Sequence, residues 1–177
     1  GKKLTLELGG KAANIVFDDA TIDQAIEGIV NGIFFNQGHV CCAGSRLLVQ
    51  ESIHDEVVDR LKARLSTLRL GDPLDKNTDI GAINSRAQLD RIRALTAAGE
   101  AEGAERWTAD CAIPDAGFWY APTIFTNVST SDRIAREEMG TQSARIRMLH
   151  RRLVDGLQQI EQVFINGDLE RRVPHNH

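Results

Sequence analysis

The chain has 177 residues, of which 42% are hydrophobic and 26% are charged, and these are ordinary values for a globular protein of one domain or slightly more. Its formal net charge of −4 argues against a general role in binding nucleic acid or a membrane surface. No apolar run approaches the roughly 20 residues that a membrane-spanning helix needs.

The N-terminus and the cysteines indicate the setting of the protein. The chain begins at Gly1 without an initiator Met, and its first residues lack the apolar core and cleavage site of a signal peptide. We therefore expect a fragment or a processed piece of a longer protein. Cys41 and Cys42 are too close together to staple a fold, so we expect reduced thiols and a cytoplasmic location.

The first part of the chain alternates strand and helix patterns. Residues 4–8 alternate apolar and polar side chains, as a strand does, and residues 14–18 form a short apolar run typical of a buried strand. Isoleucines recur at helical spacing over residues 22–36, which predicts a helix that begins after Thr21. Residues 46–50 predict a further buried strand.

The same alternation continues toward the C-terminus. An apolar stripe predicts a helix over residues 53–68 with Ser52 as its N-cap. A second stripe predicts a helix over residues 85–98, followed by a loop at residues 99–103. The other predicted elements are a strand at 106–108, a turn that leads into a strand at 118–125, and a short helix from Ser131 to about residue 138.

These patterns predict the fold class. The segments between successive strands are long enough to join parallel strands, so the sequence favours an α/β fold with a mostly parallel sheet and helices on both faces. Residues 1–139 form the main segment. Residues 140–177 differ in character, with a helical apolar stripe on a very basic stretch and then a strand-like run at 163–166. We interpret them as a divergent helical and strand tail of the same domain. A basic helix can also bind nucleic acid, but the acidic balance of the whole chain disfavours that alternative.

A loop of small residues carries the adjacent thiols, Cys41 and Cys42, between a helix pattern and a strand pattern. A thiol on such a loop can face a ligand and receive backbone N–H groups, which favour a nucleophilic thiolate. The alternative is a pair of small buried hydrophobic residues. The nearby Gly9-Gly10-Lys11 is not a phosphate-binding P-loop, because the earlier Gly and the following Ser or Thr of that motif are missing.

Two motifs together carry a family resemblance. Leu6-Glu7-Leu8-Gly9-Gly10-Lys11, followed by Phe34-Phe35-Asn36-Gln37-Gly38-His39-Val40-Cys41-Cys42-Ala43-Gly44-Ser45-Arg46, resembles the aldehyde dehydrogenase superfamily in the order and the spacing of its signature motifs. The similarity continues through residues 70–73, 117–123 and 135–138, and it covers roughly residues 1–139.

The resemblance implies a role for each matching residue. Cys41 matches the nucleophile that forms a thiohemiacetal with an aldehyde and, after hydride transfer to a nicotinamide cofactor, a thioester; its backbone N–H matches half of the oxyanion hole. Glu7 matches the general base that activates water, although a Glu at a solvated strand end is the alternative. Gly9 matches the backbone near the nicotinamide, and Gln88 and Glu138 match residues that reach the cofactor ribose. The alternative for these last two is solvated polar positions on helices. No metal site is implied.

The remaining cysteines and the departures from the family limit the expected function. Cys42 has no required chemical role, and we expect Cys111 to be structural. The family's Rossmann domain, which carries most contacts to NAD or NADP, is not recognisable here, and residues 139–142 replace the family's Ile-Phe-Gly-Pro. We therefore expect a catalytic-domain fragment that is inactive by itself as an oxidoreductase.

The parent protein, by this resemblance, oxidises a small aldehyde with NAD or NADP and forms a homo-oligomer as the family does. Two alternatives from other functional classes stay open. The first is a thiol esterase that uses Cys41 and Glu7 without a redox cofactor. The second is an inactive interaction module whose exposed sheet edge a full-length partner completes.

Overall fold

A computed structural model of the chain describes residues 3–5 and 9–136, all of which belong to the first of the chain's two units, Gly1–Arg136. An irregular turn at Phe35–Gly38 follows the first helix, and a short 3-10 turn at Glu51–Ile53 precedes the second. In chain order the described strands and helices are β1 (Ala13–Val16), α1 (Ile22–Phe34), β2 (Arg46–Val49), α2 (His54–Leu65), α3 (Arg86–Ala101), β3 (Glu105–Thr108) and β4 (Thr123–Thr126).

The strands form two pairs of different kinds. β1 and β2 are parallel, with Ile15 opposite Leu48, and α1 is the crossover between them. β3 and β4 are antiparallel, with Trp107 opposite Ile124, and residues 109–122 connect them without a helix. The βαβ unit formed by β1, α1 and β2 confirms the predicted α/β class. The sequence pattern did not distinguish the antiparallel strands from the parallel ones.

The core lies between the β1–β2 pair and the helices α1 and α2. Ile26 and Ile29 of α1 are 4% and 3% exposed, and Leu61 and Leu65 of α2 are 2% and 0% exposed, so the predicted helical stripes are confirmed. Val16 of β1 belongs to the same cluster. Burying one such side chain stabilises a fold by about 1.5–3 kcal/mol, and this cluster therefore fixes the positions of the strand ends from which the site is built.

The other face of the same strand pair is open within the described residues. Ile15 and Leu48, which lie side by side in the parallel register, are 62% and 49% exposed, and Phe17 is 60% exposed. Side chains alternate between the faces of a strand, so these residues point away from the α1–α2 layer. Within residues 3–5 and 9–136, helices thus cover one face of β1–β2.

Ion pairs link the outer surfaces of α1 and α2. Arg64 donates to both carboxylate oxygens of Glu27, at 2.6 and 3.2 Å, and Arg60 pairs with Asp23. The hydrogen bond from Arg64 lowers the pKa of Glu27. Because that pKa is lowered in the folded state, the pair stabilises the fold at pH values above the unfolded pKa of Glu27, and this contribution is lost as the pH falls through the folded pKa. Exposed pairs of this kind are screened and contribute little.

Two element boundaries differ from the sequence prediction. Ser52 is not an N-cap: it lies within the 3-10 turn, its hydroxyl accepts from Gln50 Nε2 at 3.1 Å, and Ile53 occupies the position before α2. The helix α3 begins after Ser85, whose side chain accepts from the Gln88 N–H at 3.2 Å. It then continues through the predicted loop as far as Ala101.

Gly99 explains why α3 continues. It is buried where the helix meets Phe125 of β4 and Ile134, and a Cβ added there would lie 2.9 Å from Ile134 Cδ1 and 3.2 Å from Phe125 Cε1. Glycine disfavours a helix interior by about 0.5–1 kcal/mol, but here it permits the close packing that offsets this cost.

Several predicted elements fall partly or wholly outside the described residues. Residues 3–5 are not in a strand, and residues 6–8 are not described. The predicted strand over residues 4–8 therefore stays a prediction for its second half. Residues 133–136 are helical, as expected, while the predicted end at residue 138 and the whole of the 140–177 tail lie outside the described residues.

We expect Leu65→Ala to lower the free energy of unfolding by about 2–5 kcal/mol, because it removes a fully buried side chain and leaves a cavity between α1 and α2. Leu74→Ala is the matched control: Leu74 is 93% exposed, and its truncation should change the free energy by less than about 0.5 kcal/mol. Urea unfolding followed by circular dichroism measures both. Equal midpoints for the two variants would contradict the described core.

Candidate active site

Cys41 and Cys42 occupy the two central positions of a turn that is closed by the Ala43 N–H donating to the Val40 carbonyl at 3.0 Å. Both thiols are exposed, whereas Ala43 and Gly44 behind them are buried. The alternative of a buried hydrophobic pair is therefore wrong. Among the described residues, no group accepts a hydrogen bond from the Cys41 backbone N–H.

The chain enters this turn through three consecutive residues in the left-handed region. Asn36, Gln37 and Gly38 have φ values of 50°, 56° and 75°. Asn36 stabilises this reversal, because its side-chain Nδ2 donates to the His39 carbonyl at 3.2 Å and its own carbonyl accepts from the His39 N–H at 3.0 Å. A non-glycine residue pays about 1–2 kcal/mol for such a conformation, so this bend has to be held by its surroundings.

Gln37 supplies part of that support. Its amide oxygen accepts from the Gly81 N–H at 2.8 Å, and its amide nitrogen donates to the Asn36 carbonyl at 2.9 Å. Gly81 lacks a side chain at this contact, and a Cβ there would lie 2.7 Å from the Gln37 amide atom that faces it. The strained bend is thereby tied to the segment that leads into α3.

The two sequence motifs meet through backbone. A Cβ added to Gly10 would lie 2.2 Å from the Cys41 carbonyl oxygen, a distance that no real Cβ contact allows. Beside this contact, Arg46 Nε donates to the Lys11 carbonyl at 2.9 Å, and the Arg46 N–H donates to the Ala12 carbonyl at 3.1 Å. The Gly9-Gly10 segment and the cysteine turn therefore form one local structure.

A side-chain contact fixes the exit from the turn. Asn14 Nδ2 donates to the Gly44 carbonyl at 2.9 Å, across 30 residues of sequence. A Cβ on Gly44 would lie 2.4 Å from that same nitrogen. Gly10 is thus required by a close approach of backbone, whereas Gly44 leaves room for the Asn14 amide.

The residues singled out in the sequence have different positions in this arrangement. Cys41 is exposed in the turn, and Gly9 is exposed next to Gly10, which contacts that turn. Gln88 is half-buried in the first turn of α3. Glu7 and Glu138 lie outside the described residues, so their predicted roles stay predictions.

Sequence reasoning did not identify Asn14 and Gln37 as parts of the site. The available signal for Asn14 was a polar side chain within an otherwise apolar strand pattern. Gln37 lies inside the cysteine motif, but its contact with Gly81 joins segments that are distant in the sequence.

Cys111 differs from the adjacent cysteines Cys41 and Cys42. It is half-buried and packs against the hydrophobic core, and this burial, together with the Asp110 carboxylate, raises the pKa of its thiol. A raised pKa leaves less thiolate, so Cys111 is the poorer nucleophile. In the part of the chain that the structure describes, no group of three or more His, Cys, Asp or Glu residues could hold a metal ion. Nor is any helix there long and apolar enough to cross a membrane.

Comparison with known proteins gives a consistent result. The model of the aldehyde dehydrogenase family matches residues 1–140. The putative aldehyde dehydrogenase DhaS of Bacillus subtilis is 44% identical over 138 residues, which are 78% of this chain and 28% of that protein. Betaine aldehyde dehydrogenase 2 of Rhizobium meliloti is 40% identical over 138 residues, which are 78% of this chain and 29% of that protein. The chain therefore spans less than a third of the length of these curated relatives.

Solved structures show the same likeness. The NAD-dependent aldehyde dehydrogenase from Sinorhizobium meliloti matches with a TM-score of 0.71 and 44% identity, over 75% of this chain and 26% of that one. Betaine aldehyde dehydrogenase from Staphylococcus aureus, solved in complex with NAD+, matches with a TM-score of 0.71 and 38% identity, over 75% of this chain and 27% of that one.

We expect Gly10→Ala to lower the free energy of unfolding by about 1–3 kcal/mol, because the new methyl group overlaps the Cys41 carbonyl and neither backbone can yield easily. Gly32→Ala is the control: Gly32 lies on α1 with nothing within 4 Å of an added Cβ, so this change should stabilise the protein by about 0.4–1 kcal/mol. Urea unfolding compares the two. A shift in the same direction for both variants would contradict the contact between the two motifs.

Proposed function

The chain belongs to the aldehyde dehydrogenase family, and we propose that its parent protein oxidises a small aldehyde to a carboxylic acid with NAD or NADP through Cys41. One observation carries this proposal. The exposed Cys41 thiol lies on a turn whose backbone is in direct contact with Gly10, which belongs to the other family motif, Leu6-Glu7-Leu8-Gly9-Gly10-Lys11. A nucleophile held on fixed backbone beside the Gly9-Gly10 segment suits covalent catalysis better than a buried or freely mobile thiol does.

Cys41 is the proposed nucleophile. Its thiolate adds to the aldehyde carbon, forming the C–S bond of a thiohemiacetal while the carbonyl oxygen takes up negative charge. The Cys41 backbone N–H has no acceptor among the described residues, so it can donate to that oxygen. Cys42, although also exposed, has no assigned step.

Glu7 is the proposed general base for the second half of the reaction. It takes a proton from water, which attacks the thioester carbon and releases the carboxylic acid and the Cys41 thiolate. The contact between Gly10 and Cys41 supports this role, because three residues of chain span at most about 11 Å.

Gly9 and Gln88, the two predicted cofactor-binding residues that the structure describes, suit contacts with a nicotinamide cofactor. Gly9 is exposed beside the turn, so a flat ring can approach its backbone, and Gln88 has a half-buried side chain with no hydrogen-bond partner among the described residues. We propose that Gln88 and Glu138 bind the cofactor ribose. When bound, the nicotinamide supplies the hydride acceptor that converts the thiohemiacetal into the thioester.

The setting of the parent protein follows the same proposal. We propose a cytoplasmic homo-oligomer that takes a small-molecule aldehyde as its substrate. The two adjacent, exposed and unpaired thiols support a reducing compartment, because such thiols oxidise readily elsewhere. We further propose that most cofactor contacts belong to a part of the protein outside this chain.

The assignment of Cys41 is tested with an activated ester, which needs no hydride acceptor. We expect the chain to show a burst of about one acyl group per protein on Cys41, located by peptide mass mapping. Cys41→Ser should abolish the burst, whereas the matched variant Cys42→Ser should keep it. A burst that survives in Cys41→Ser and is lost in Cys42→Ser would overturn the assignment.

The same assay separates the two half-reactions. Glu7→Gln should keep the burst and slow the steady release that follows by about 10²–10⁴, because only deacylation needs the general base. Glu51→Gln, an exposed carboxylate in the Glu51–Ile53 turn, is the control and should leave both phases unchanged. Unchanged release in Glu7→Gln would remove Glu7 from the mechanism.

The chain by itself should not oxidise aldehydes. Gly9, Gln88 and Glu138 offer only a few hydrogen bonds to a cofactor, each worth about 0.5–1.5 kcal/mol net, whereas micromolar binding corresponds to about 8 kcal/mol. Calorimetric titration with NAD and NADP, alongside a cofactor-reduction assay with aliphatic and aromatic aldehydes, tests this expectation. Micromolar binding, or steady cofactor reduction that depends on Cys41, would contradict it.

A further inference from the structure

Asn14 is a polar residue at a core-facing position of β1. Side chains alternate along a strand, so Asn14 shares a face with Val16, which is 6% exposed and belongs to the hydrophobic cluster. Asn14 itself is half-buried. An apolar side chain at this position would pack against the α1–α2 layer without the cost of removing an amide from water.

The Asn14 amide forms a hydrogen bond with the cysteine turn. Its Nδ2 donates to the Gly44 carbonyl at 2.9 Å, and no other hydrogen-bond partner of this side chain lies among the described residues. The amide also rests directly on Gly44, where a Cβ would lie 2.4–2.8 Å from its three terminal atoms. In this conformation the Asn14 amide occupies the space that a side chain at position 44 would need.

The position of Gly44 determines where the thiols can point. Only two residues separate it from Cys41, and the Ala43 carbonyl between them accepts from the Ser45 N–H at 2.8 Å. The opposite side of the turn is limited by the contact between Gly10 and the Cys41 carbonyl. With Gly44 released, the exit of the turn would lose its side-chain contact, while the Gly10 contact at the tip and the Gln37 contacts at the entry would remain.

We propose that Asn14 is a positioning residue that sets the orientation of the Cys41 thiol through the Gly44 carbonyl. This inference rests on the proposed function for its chemical meaning, since the thiol it orients is the proposed nucleophile. Asn14 touches neither Cys41 nor the reacting atoms. It acts by selecting, between the two exposed thiols of the turn, which one faces the substrate.

Gln50 provides a control within the same strand pair. Its Nε2 donates to Asp18 Oδ2 at 2.7 Å, where the chain leaves β1 and β2, at the end remote from the cysteine turn. Like Asn14, it is a half-buried side-chain amide that joins the two segments, but it does not contact the turn. A variant that loses this amide shows how weakening the strand pair alone affects the labelling of Cys41 and Cys42.

The experiment compares Asn14→Leu, Asn14→Asp and Gln50→Leu in the 177-residue chain. Leu restores an apolar side chain to the core face, and Asp keeps the shape of Asn while removing the N–H donor, so one variant remains informative if the other fails to fold. Iodoacetamide labelling rates of Cys41 and Cys42 are measured by peptide mass mapping, with Cys111 as an internal reference. Urea unfolding monitors the stability of each variant.

We expect the Cys41-to-Cys42 labelling ratio to change by about fivefold in both Asn14 variants, which is the population shift that one net hydrogen bond produces. Gln50→Leu should leave the ratio unchanged even if its stability falls. An unchanged ratio in the Asn14 variants, or an equal change in Gln50→Leu, would overturn the proposal.

The labelling ratio needs no catalysis, so the two proposals fail separately. Absence of an acyl burst in the unaltered chain would count against the proposed function while the ratio still tests Asn14. If the burst is present, Asn14→Asp should reduce its rate constant and leave the final amount of acyl-enzyme unchanged. An unchanged burst rate would overturn the positioning role.

Discussion

The structure depends on a contact between two backbone segments that is too close to allow a side chain at position 10. Gly10 and the Cys41 carbonyl approach so closely that a Cβ would lie 2.2 Å from the oxygen. This contact joins the start of β1 to the turn before β2, and it explains why position 10 is a glycine. On the other side of the turn a second glycine, Gly44, meets the side-chain amide of Asn14.

The packed core of the βαβ unit holds these close contacts in place. Val57 and Leu65 of α2 are fully buried against α1 and β1, so the ends of β1 and β2 have little freedom to separate. The same unit leaves Ile15 and Leu48 exposed on its other face within the described residues. Among the described residues, the cysteine turn is therefore supported by the layer that carries this buried core.

The turn itself is irregular and strained, and its neighbours hold it. Gln37 adopts a left-handed conformation that is unfavourable for its residue type, and its side chain bonds to Gly81 and to the adjacent backbone. Strain of this kind persists only where several contacts oppose it. The entry to the turn, its tip and its exit are thus fixed by Gln37, Gly10 and Asn14 respectively.

Local pattern was sufficient for much of the fold. The spacing of Ile26 and Ile29, and of Leu61 and Leu65, identified the helices and their buried faces correctly, because helical periodicity is a local property of a short stretch of sequence. The motif around Cys41 and its resemblance to a family could likewise be read directly. The roles proposed for Glu7 and Glu138, which lie outside the described residues, rest mainly on the resemblance.

Tertiary structure alone decided the features that depend on distant neighbours. The helix α3 runs through Gly99 because Phe125 and Ile134 pack on it, and no pattern within α3 contains that information. The sequence left the exposure of the Cys41 thiol open, and it did not indicate the bond from Asn14 to Gly44. Both depend on parallel pairing of β1 with β2, which brings residues some 30 positions apart into contact. A sequence specifies the propensities of its segments, but close contacts between segments arise only when the packed core has set the distances between them.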